Sequence, residues 1–326
     1  MKTTRRQFLQ GAMAGGAALT LGATPPEAQA RPNLTMPPKA LGLLYDSTLC
    51  IGCKACVAAC KESNGLPPEF STEDHLWDTA KDLSGKTKNV IKMYKDGNGT
   101  QKDRETDGYA FIKHSCLHCV DPSCVSACPV SAMQKDPVTG IVSYDEKSCI
   151  GCRYCVVACP FGVPRFQYDT PFPKIVKCEL CNHLKTGDKY QYSACAQVCP
   201  TGATLYGPTD LLMQEAKRRV ALKPGAISKF ERGQIGSGNT HETVVKAQYL
   251  PRIYGDHELG GTQVLKISAV PMEKLGMPEL PERSFASISE TLQHSLYGWL
   301  AFPAVVLGGL VIAAKRTSRP DDEDKV

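Results

Sequence analysis

The sequence has no block of like charge. Its 326 residues carry 38 basic and 33 acidic side chains for a formal +5. The basic ones are scattered, which argues against a nucleic-acid surface. Also missing are a Ser/His/Asp spacing, a phosphate-binding P-loop and a G-x-G-x-x-G dinucleotide turn. Without nucleophile, phosphate cradle or pyrophosphate turn, the chain shows no catalytic residues of its own. Ala226–Glu290 is rich in Pro and Gly, with short strand-like pieces such as Thr262–Val270 and no cluster of ligand-type residues. It reads as a covering or docking extension.

Cysteine is what the chain has in quantity. All 16 fall into four quartets: Cys50, Cys53, Cys56 and Cys60; Cys116, Cys119, Cys124 and Cys128; Cys149, Cys152, Cys155 and Cys159; Cys178, Cys181, Cys195 and Cys199. Pro129, Pro160 and Pro200 follow three of them, whereas Lys61 follows Cys60. CIGCKACVAAC at Cys50–Cys60 recurs as CIGCRYCVVAC at Cys149–Cys159, an internal repeat.

In C-x2-C-x2-C the chain curls round a cubane iron–sulfur cluster, each three-residue step turning the next sulfur inward. The fourth Cys, three residues on, opens a short helix and ligates a neighbouring cluster. Quartets one and three keep that spacing without deviation. Quartet two is widened by Asp121-Pro122. Quartet four is wider still and alone would also suit a zinc ribbon; its AQVCP ending and its company favour iron–sulfur. A disulfide framework fits poorly, because the chain is long enough not to need so many staples. Each oxidised cluster with its thiolates carries roughly −2, so the scattered lysines also offset cluster charge. His118, inside quartet two, reads as a residue beside the cluster or at the surface rather than a ligand, and His114 and His183 likewise. Tyr154, Phe161, Phe166 and Tyr168 are expected to pack around the clusters and exclude water.

Between the motifs, Asp136–Tyr144 reads as a Gly-turn hairpin and Gly108–Lys113 as a strand, closing a Lys/Asp/Gly/Asn-rich linker. Asp210–Leu222 reads as a helix with Asp210 as N-cap, ended by Lys223-Pro224-Gly225.

Both ends suggest membrane traffic. Thr4-Arg5-Arg6-Gln7-Phe8-Leu9, the weakly apolar run Gly11–Ala23 and Ala28-Gln29-Ala30 look like a twin-arginine (Tat) export signal, with an ordinary secretory signal or a buried helix as alternatives. Leu296–Ala314 has no charge and as a helix would be about 28 Å long, close to a bilayer core. Lys315, Arg316 and Arg319 would place its end in the cytoplasm and the body in the periplasm. A buried core helix is the alternative, though Pro303 and Gly308-Gly309 would weaken it.

The stretches YDSTLCIGCKACV, CLHCVDPSCVSACPVSAMQKDPVTGIVSYD, GCRYCVVACPFGVP, KCELCN, ALKPG and IYGDHELGGTQVL resemble the four-cluster iron–sulfur beta subunits of membrane oxidoreductases. That family includes formate dehydrogenase, dimethyl sulfoxide reductase and polysulfide reductase subunits, and within it the similarity is to the branch serving nickel–iron hydrogenases. The resemblance implies an α+β fold of two nested ferredoxin-like (bacterial 2[4Fe-4S]) units, a C-terminal extension and one transmembrane helix. It implies a signal over 1–30, an outer unit over 31–112 and 172–222, an inserted unit over 113–171, an extension over 223–290, an anchor over 296–314 and a tail over 315–326. It also implies four [4Fe-4S] clusters, with quartets paired first with fourth and second with third. Cluster one would then take Cys50, Cys53, Cys56 and Cys199, and cluster two Cys60, Cys178, Cys181 and Cys195. Cluster three would take Cys116, Cys119, Cys124 and Cys159, and cluster four Cys128, Cys149, Cys152 and Cys155. Pairing first with second remains open from the residues alone. The implied role is non-catalytic electron transfer at the inner membrane, between a nickel–iron hydrogenase large and small subunit pair and a quinone-reactive membrane subunit. A molybdopterin enzyme or formate dehydrogenase as partner, or a zinc or disulfide adaptor, are the alternatives.

Overall fold

A computed structural model describes residues 31–69, 80–185 and 187–317; the proposed export signal and the tail beyond Thr317 lie outside the described residues. Asn33–Ala286 forms one compact unit, and Arg31–Pro32 with Ser287–Thr317 belongs to a second.

The first unit is built on a mixed four-stranded sheet. Its inner strand, β1 (Leu41–Asp46), reads LGLLYD and is buried along almost its whole length, as a strand covered on both faces should be. In chain order there follow β2 (Asn89–Lys95), β3 (Gln101–Lys102), β4 (Gly108–Ser115), β5 (Met133–Lys135), β6 (Val142–Tyr144), β7 (Arg165–Phe166) and β8 (Ile175–Val176). The remaining strands are β9 (Thr204–Pro208), β10 (Ile227–Glu231), β11 (Gly233–Gln234), β12 (Thr240–Val244) and β13 (Val264–Ile267). The main sheet has the order β11-β9-β1-β13. β9 runs antiparallel to β1, with Leu43 opposite Tyr206; β13 runs parallel to it, with Leu43 opposite Val264.

β13 lies within Thr262–Val270, the strand-like piece of the segment read as a covering or docking extension. Its four residues are all buried, and Gln263 beside it donates to Leu41 O and Thr139 O at 2.6 and 2.8 Å. The 223–290 segment is therefore part of the main sheet, with Lys266 masking an otherwise apolar strand. β2, β4 and β3 form a second sheet, so the linker carries strands from Asn89 on, and β4 runs across the join at 112/113. The hairpin is formed by β5 and β6, pairing Met133 with Tyr144.

Helix α5 (Thr209–Val220) lies against the main sheet. The first four helices, α1–α4, carry cysteines and are described with the sites. Contrary to expectation, Pro208 occupies the N-cap of α5 and Asp210 lies in the first turn, where a carboxylate favours the positive end of the helix dipole. Leu212 and Ala216 pack against Leu44, Leu205, Phe230 and Leu265. α6 (Phe285–Thr317) contains Pro303. Among the described residues no helix is long and apolar enough to cross a membrane; the side chains of residues 298–302 and 304, inside the apolar run, fall outside that description. In the second unit the Arg31 N–H donates to Thr291 Oγ1 at 3.1 Å.

Candidate metal centres

The third cysteine of every quartet lies in a short helix: Cys56 in α1 (Ala55–Ser63), Cys124 in α2 (Ser123–Ser126), Cys155 in α3 (Tyr154–Ala158) and Cys195 in α4 (Ala194–Gln197). The helix thus opens around the third cysteine, not the fourth. Gly52 and Gly151 (φ 72° and 71°), followed by Lys54 and Arg153 (φ 58° and 64°), turn the chain through left-handed conformations just before α1 and α3. Those turns bring the Gly52 and Gly151 N–H groups to Cys50 and Cys149 Sγ at 3.4 Å. Leu180 N–H reaches Cys178 Sγ at the same distance. Cys128, Cys159 and Cys199 fall beyond their helices, because the proline after each disfavours helical backbone at the residue before it. With Lys61 in that place, α1 runs on through Cys60 to Ser63.

The cysteines gather across quartets. One cavity of about 330 Å³ is lined by Cys50, Cys53, Cys56 and Cys199, and a second of the same volume by Cys60, Cys178, Cys181 and Cys195. A third of about 310 Å³ is lined by Cys128, Cys149, Cys152 and Cys155. Cys119 is half-buried and feels Cys116, Cys159 and Cys124, which makes a fourth set. Quartet four is therefore no self-contained zinc site, since Cys199 faces Cys50. The sets also adjoin one another: Cys56 acts on Cys195 across the first and second, Cys178 on Cys116 across the second and the Cys119 set, and Cys124 on Cys155 across that set and the last. Cys53 and Cys152, at the two ends of that file, are exposed.

The donor sets fit an iron–sulfur group. None of the cysteines is in a disulfide. Burial, then neighbouring cysteines, pushes the Cys60 thiol up to about 12 and the Cys155 thiol up to about 11. Such thiols do not ionise unaided; a bound metal deprotonates them. Among the described residues no three His, Cys, Asp or Glu side chains converge as one ion's ligands would, whereas a cubane spreads its thiolates over separate irons.

The sequence suggested that lysines offset cluster charge but not which of them surround these sets. Lys135 Nζ donates to Cys119 O, Gly140 O and Gln263 Oε1 at 2.9–3.0 Å. Lys177 donates to Cys178 O at 2.9 Å and to Val142 O. Lys113 lines the Cys60/Cys178 cavity. Strand alternation gave no warning of it, since Ile112 and Lys113 lie on opposite faces of β4 and are both buried. His118 is fully buried, not at the surface. Its Nδ1 accepts from the Val142 N–H at 3.0 Å, and burial, then Lys177 and Lys135, holds the ring neutral. Burial holds His114 down to about 4, and His183 is exposed with Nε2 on Ser63 O. Phe161 and Phe166 pack beside the cysteines, but Tyr154 and Tyr168 are 61% and 73% exposed and shield no cluster. Arg153 instead lies over the Tyr168 and Phe166 rings.

The 4Fe-4S dicluster domain family matches residues 49–132 and again 108–209. The chain is 46% identical, over 98% of its length and 97% of the relative's, to the hydrogenase-2 operon protein HybA of Escherichia coli O157:H7. It is equally similar to the HybA protein of Shigella flexneri. It is 33% identical to the formate dehydrogenase-O iron–sulfur subunit of Escherichia coli K12 over 80% of this chain and 77% of that one. With these relatives and these cysteine sets, the chain belongs to the HybA-type family of iron–sulfur electron-transfer subunits, which are not catalytic subunits.

Proposed function

We propose that the chain is the electron relay between a nickel–iron hydrogenase large and small subunit pair and a quinone-reactive integral membrane subunit. Each cysteine set holds one [4Fe-4S] cluster, four in all, each supplying reversible one-electron chemistry with no bond made or broken. The observation that carries this is the file of four sets: each adjoins the next, and cysteines at its two ends reach solvent, as a through-molecule relay requires. The protein does the rest. Its thiols fix the positions, the helices and Gly turns aim them, and Phe161, Phe166 and the buried lysines exclude water and balance charge.

Export by the twin-arginine route would let the clusters be inserted in the cytoplasm before the body reaches the periplasm. Leu296–Ala314 would then hold the protein to the inner membrane as a single-pass anchor with a cytoplasmic C-terminus. The hydrogenase partner is supported by the likeness to the hydrogenase-2 operon proteins HybA. The formate dehydrogenase relative supports a second reading, in which the partner is a formate dehydrogenase.

Anaerobically purified protein should contain about 16 iron and about 16 acid-labile sulfide per chain, and a count near 8 would refute four clusters. Metals measured on the co-purified complex decide the partner: nickel on a large subunit supports the hydrogenase assignment, molybdenum without nickel refutes it.

A further inference from the structure

Lys113 is 2% exposed in β4. Its Nζ is buried and reaches no hydrogen-bonding oxygen or nitrogen. The other buried lysines among the described residues do have partners. Lys177 has two carbonyls, Lys61 pairs with Glu69 at 3.4 Å, and Lys266 donates to the Lys113 carbonyl at 2.8 Å.

What faces Lys113 is sulfur. It lines the cavity of Cys60, Cys178, Cys181 and Cys195. Its nearest electrostatic neighbours include Cys195, Cys56 and Cys178. Cys56 belongs to the adjoining set, so the charge sits where two sets meet. Lys266, behind it, is pushed down to about 7 by burial and by Lys113 itself and does not add a second firm charge. An isolated ammonium in a protein interior is strongly unfavourable unless an anion faces it. Glu179 lines the same cavity but is engaged by Lys88 at 3.2 Å and by the Tyr144 N–H at 3.0 Å, and Lys113 Nζ bonds to no carboxylate, which leaves the sulfur-bound group in the cavity as the counter-charge.

We propose that Lys113 is the fixed counter-ion of the cluster held by Cys60, Cys178, Cys181 and Cys195, and that it raises that cluster's reduction potential. Reduction there adds one electron from a neighbouring cluster, with no bond formed or broken and no proton taken up. The added negative charge is attracted by an ammonium already in place. Electrostatics in a low-dielectric interior make that attraction much stronger than it would be in water. Lys113 is thus a positioning residue for charge, not a ligand. This inference rests on the proposal that the cysteines hold clusters.

The test is an EPR-monitored redox titration of the full-length, iron-loaded protein and of Lys113→Met and Lys113→Arg. The cluster in question is identified as the one whose signal Cys60→Ser alters or abolishes. In Lys113→Met its reduction constant should fall at least tenfold, which is about 59 mV for a one-electron couple, while the other three change less. In Lys113→Arg, which keeps the charge, it should stay within threefold. A fully loaded Lys113→Met protein with all potentials within threefold of wild type overturns the proposal. Should Lys113→Met load less iron, the arginine variant decides. Full iron with wild-type potentials supports a role for charge, and any other arginine result overturns it. A wild-type protein short of about 16 iron refutes the cluster count itself, which is a separate failure.

Discussion

Asp103 shows how a single carboxyl can oppose its own fold. Its backbone has φ 62°, and its side chain is only 2% exposed, with Oδ2 2.6 Å from Lys102 Nζ. Lys102 also holds Ser47 O and Thr48 O, the turn leading to Cys50. Burial raises Asp103 to about 6, against the pull of Lys102. Between the ordinary value of 3.8 and 6 the unfolded chain releases this proton while the folded one keeps it. The folded state therefore binds more protons, and Asp103's contribution to stability falls as pH rises through that window, by about 3 kcal/mol. Replacing it by Asn removes the slope. Unfolding free energies of wild type and Asp103→Asn, measured from pH 4 to 6.5, should diverge by about that amount in favour of the variant at the upper end; a constant difference would mean that the carboxyl is not protonated in the fold. At this scale the cysteines were legible because iron–sulfur ligation imposes fixed spacing. The lysines were not, because a Lys in a strand ordinarily marks the wet face, and only the sulfur groups beneath Lys113 make an inward position tolerable. His118 was left between a place beside the cluster and one at the surface for a similar reason: nothing local says that the Val142 N–H will meet its Nδ1.

Among the elements, β1 is where close approach is most exacting. A Cβ on Gly42 would lie 1.8 Å from the Gln263 carbonyl oxygen, a backbone atom fixed by the register of β13. Gly42→Ala should therefore push β1 and β13 apart and cost about 3 kcal/mol or more, seen as a drop in Tm with release of Gln263 from Leu41 O. A drop under about 1 kcal/mol would show that the strands can yield. The hairpin at 136–144 and the strand at 108–113 were legible, being local patterns of alternation and turn chemistry. β13 was not recognised as part of a sheet, because its partner β1 lies more than two hundred residues earlier and Lys266 interrupts its apolar run. The N-cap of α5 was misjudged by two residues, Asp210 for Pro208, since a carboxylate in the first turn and one at the cap leave the same trace in sequence. The aromatic residues divided by position: Phe161 and Phe166 fall beneath the motif loops, Tyr154 and Tyr168 outside them.

Across the molecule, one buried cluster joins segments that are far apart in the chain. Arg219 and Asp46 are both fully buried at 3.1 Å. Asp46 also accepts from Tyr249 OH at 2.9 Å and from Thr48 Oγ1 at 2.7 Å, and Arg219 donates to Gly202 O at 3.2 Å. The turns beside the first and last quartets, helix α5 and the C-terminal extension are thus held by one ion pair. Arg219→Met leaves Asp46 charged and buried without its cation, a loss of about 3–5 kcal/mol. Tm and iron retention should fall together in that variant. A second substitution, Asp46→Leu, should recover part of the loss, since an apolar pair of similar size is often no worse than the ion pair; no recovery would show that the carboxylate serves Thr48 and Tyr249 more than Arg219.

The interleaving of the cysteine sets also orders events during synthesis. By the time a ribosome has added Cys159, all the cysteines of the two inner sets exist, while Cys50, Cys53 and Cys56 still wait for Cys199, and Cys60 for Cys178, Cys181 and Cys195. The first thiols translated are therefore among the last to be completed. A nascent chain must carry them unfilled, guarded from oxidation and from the wrong partner, until Cys199 has been added.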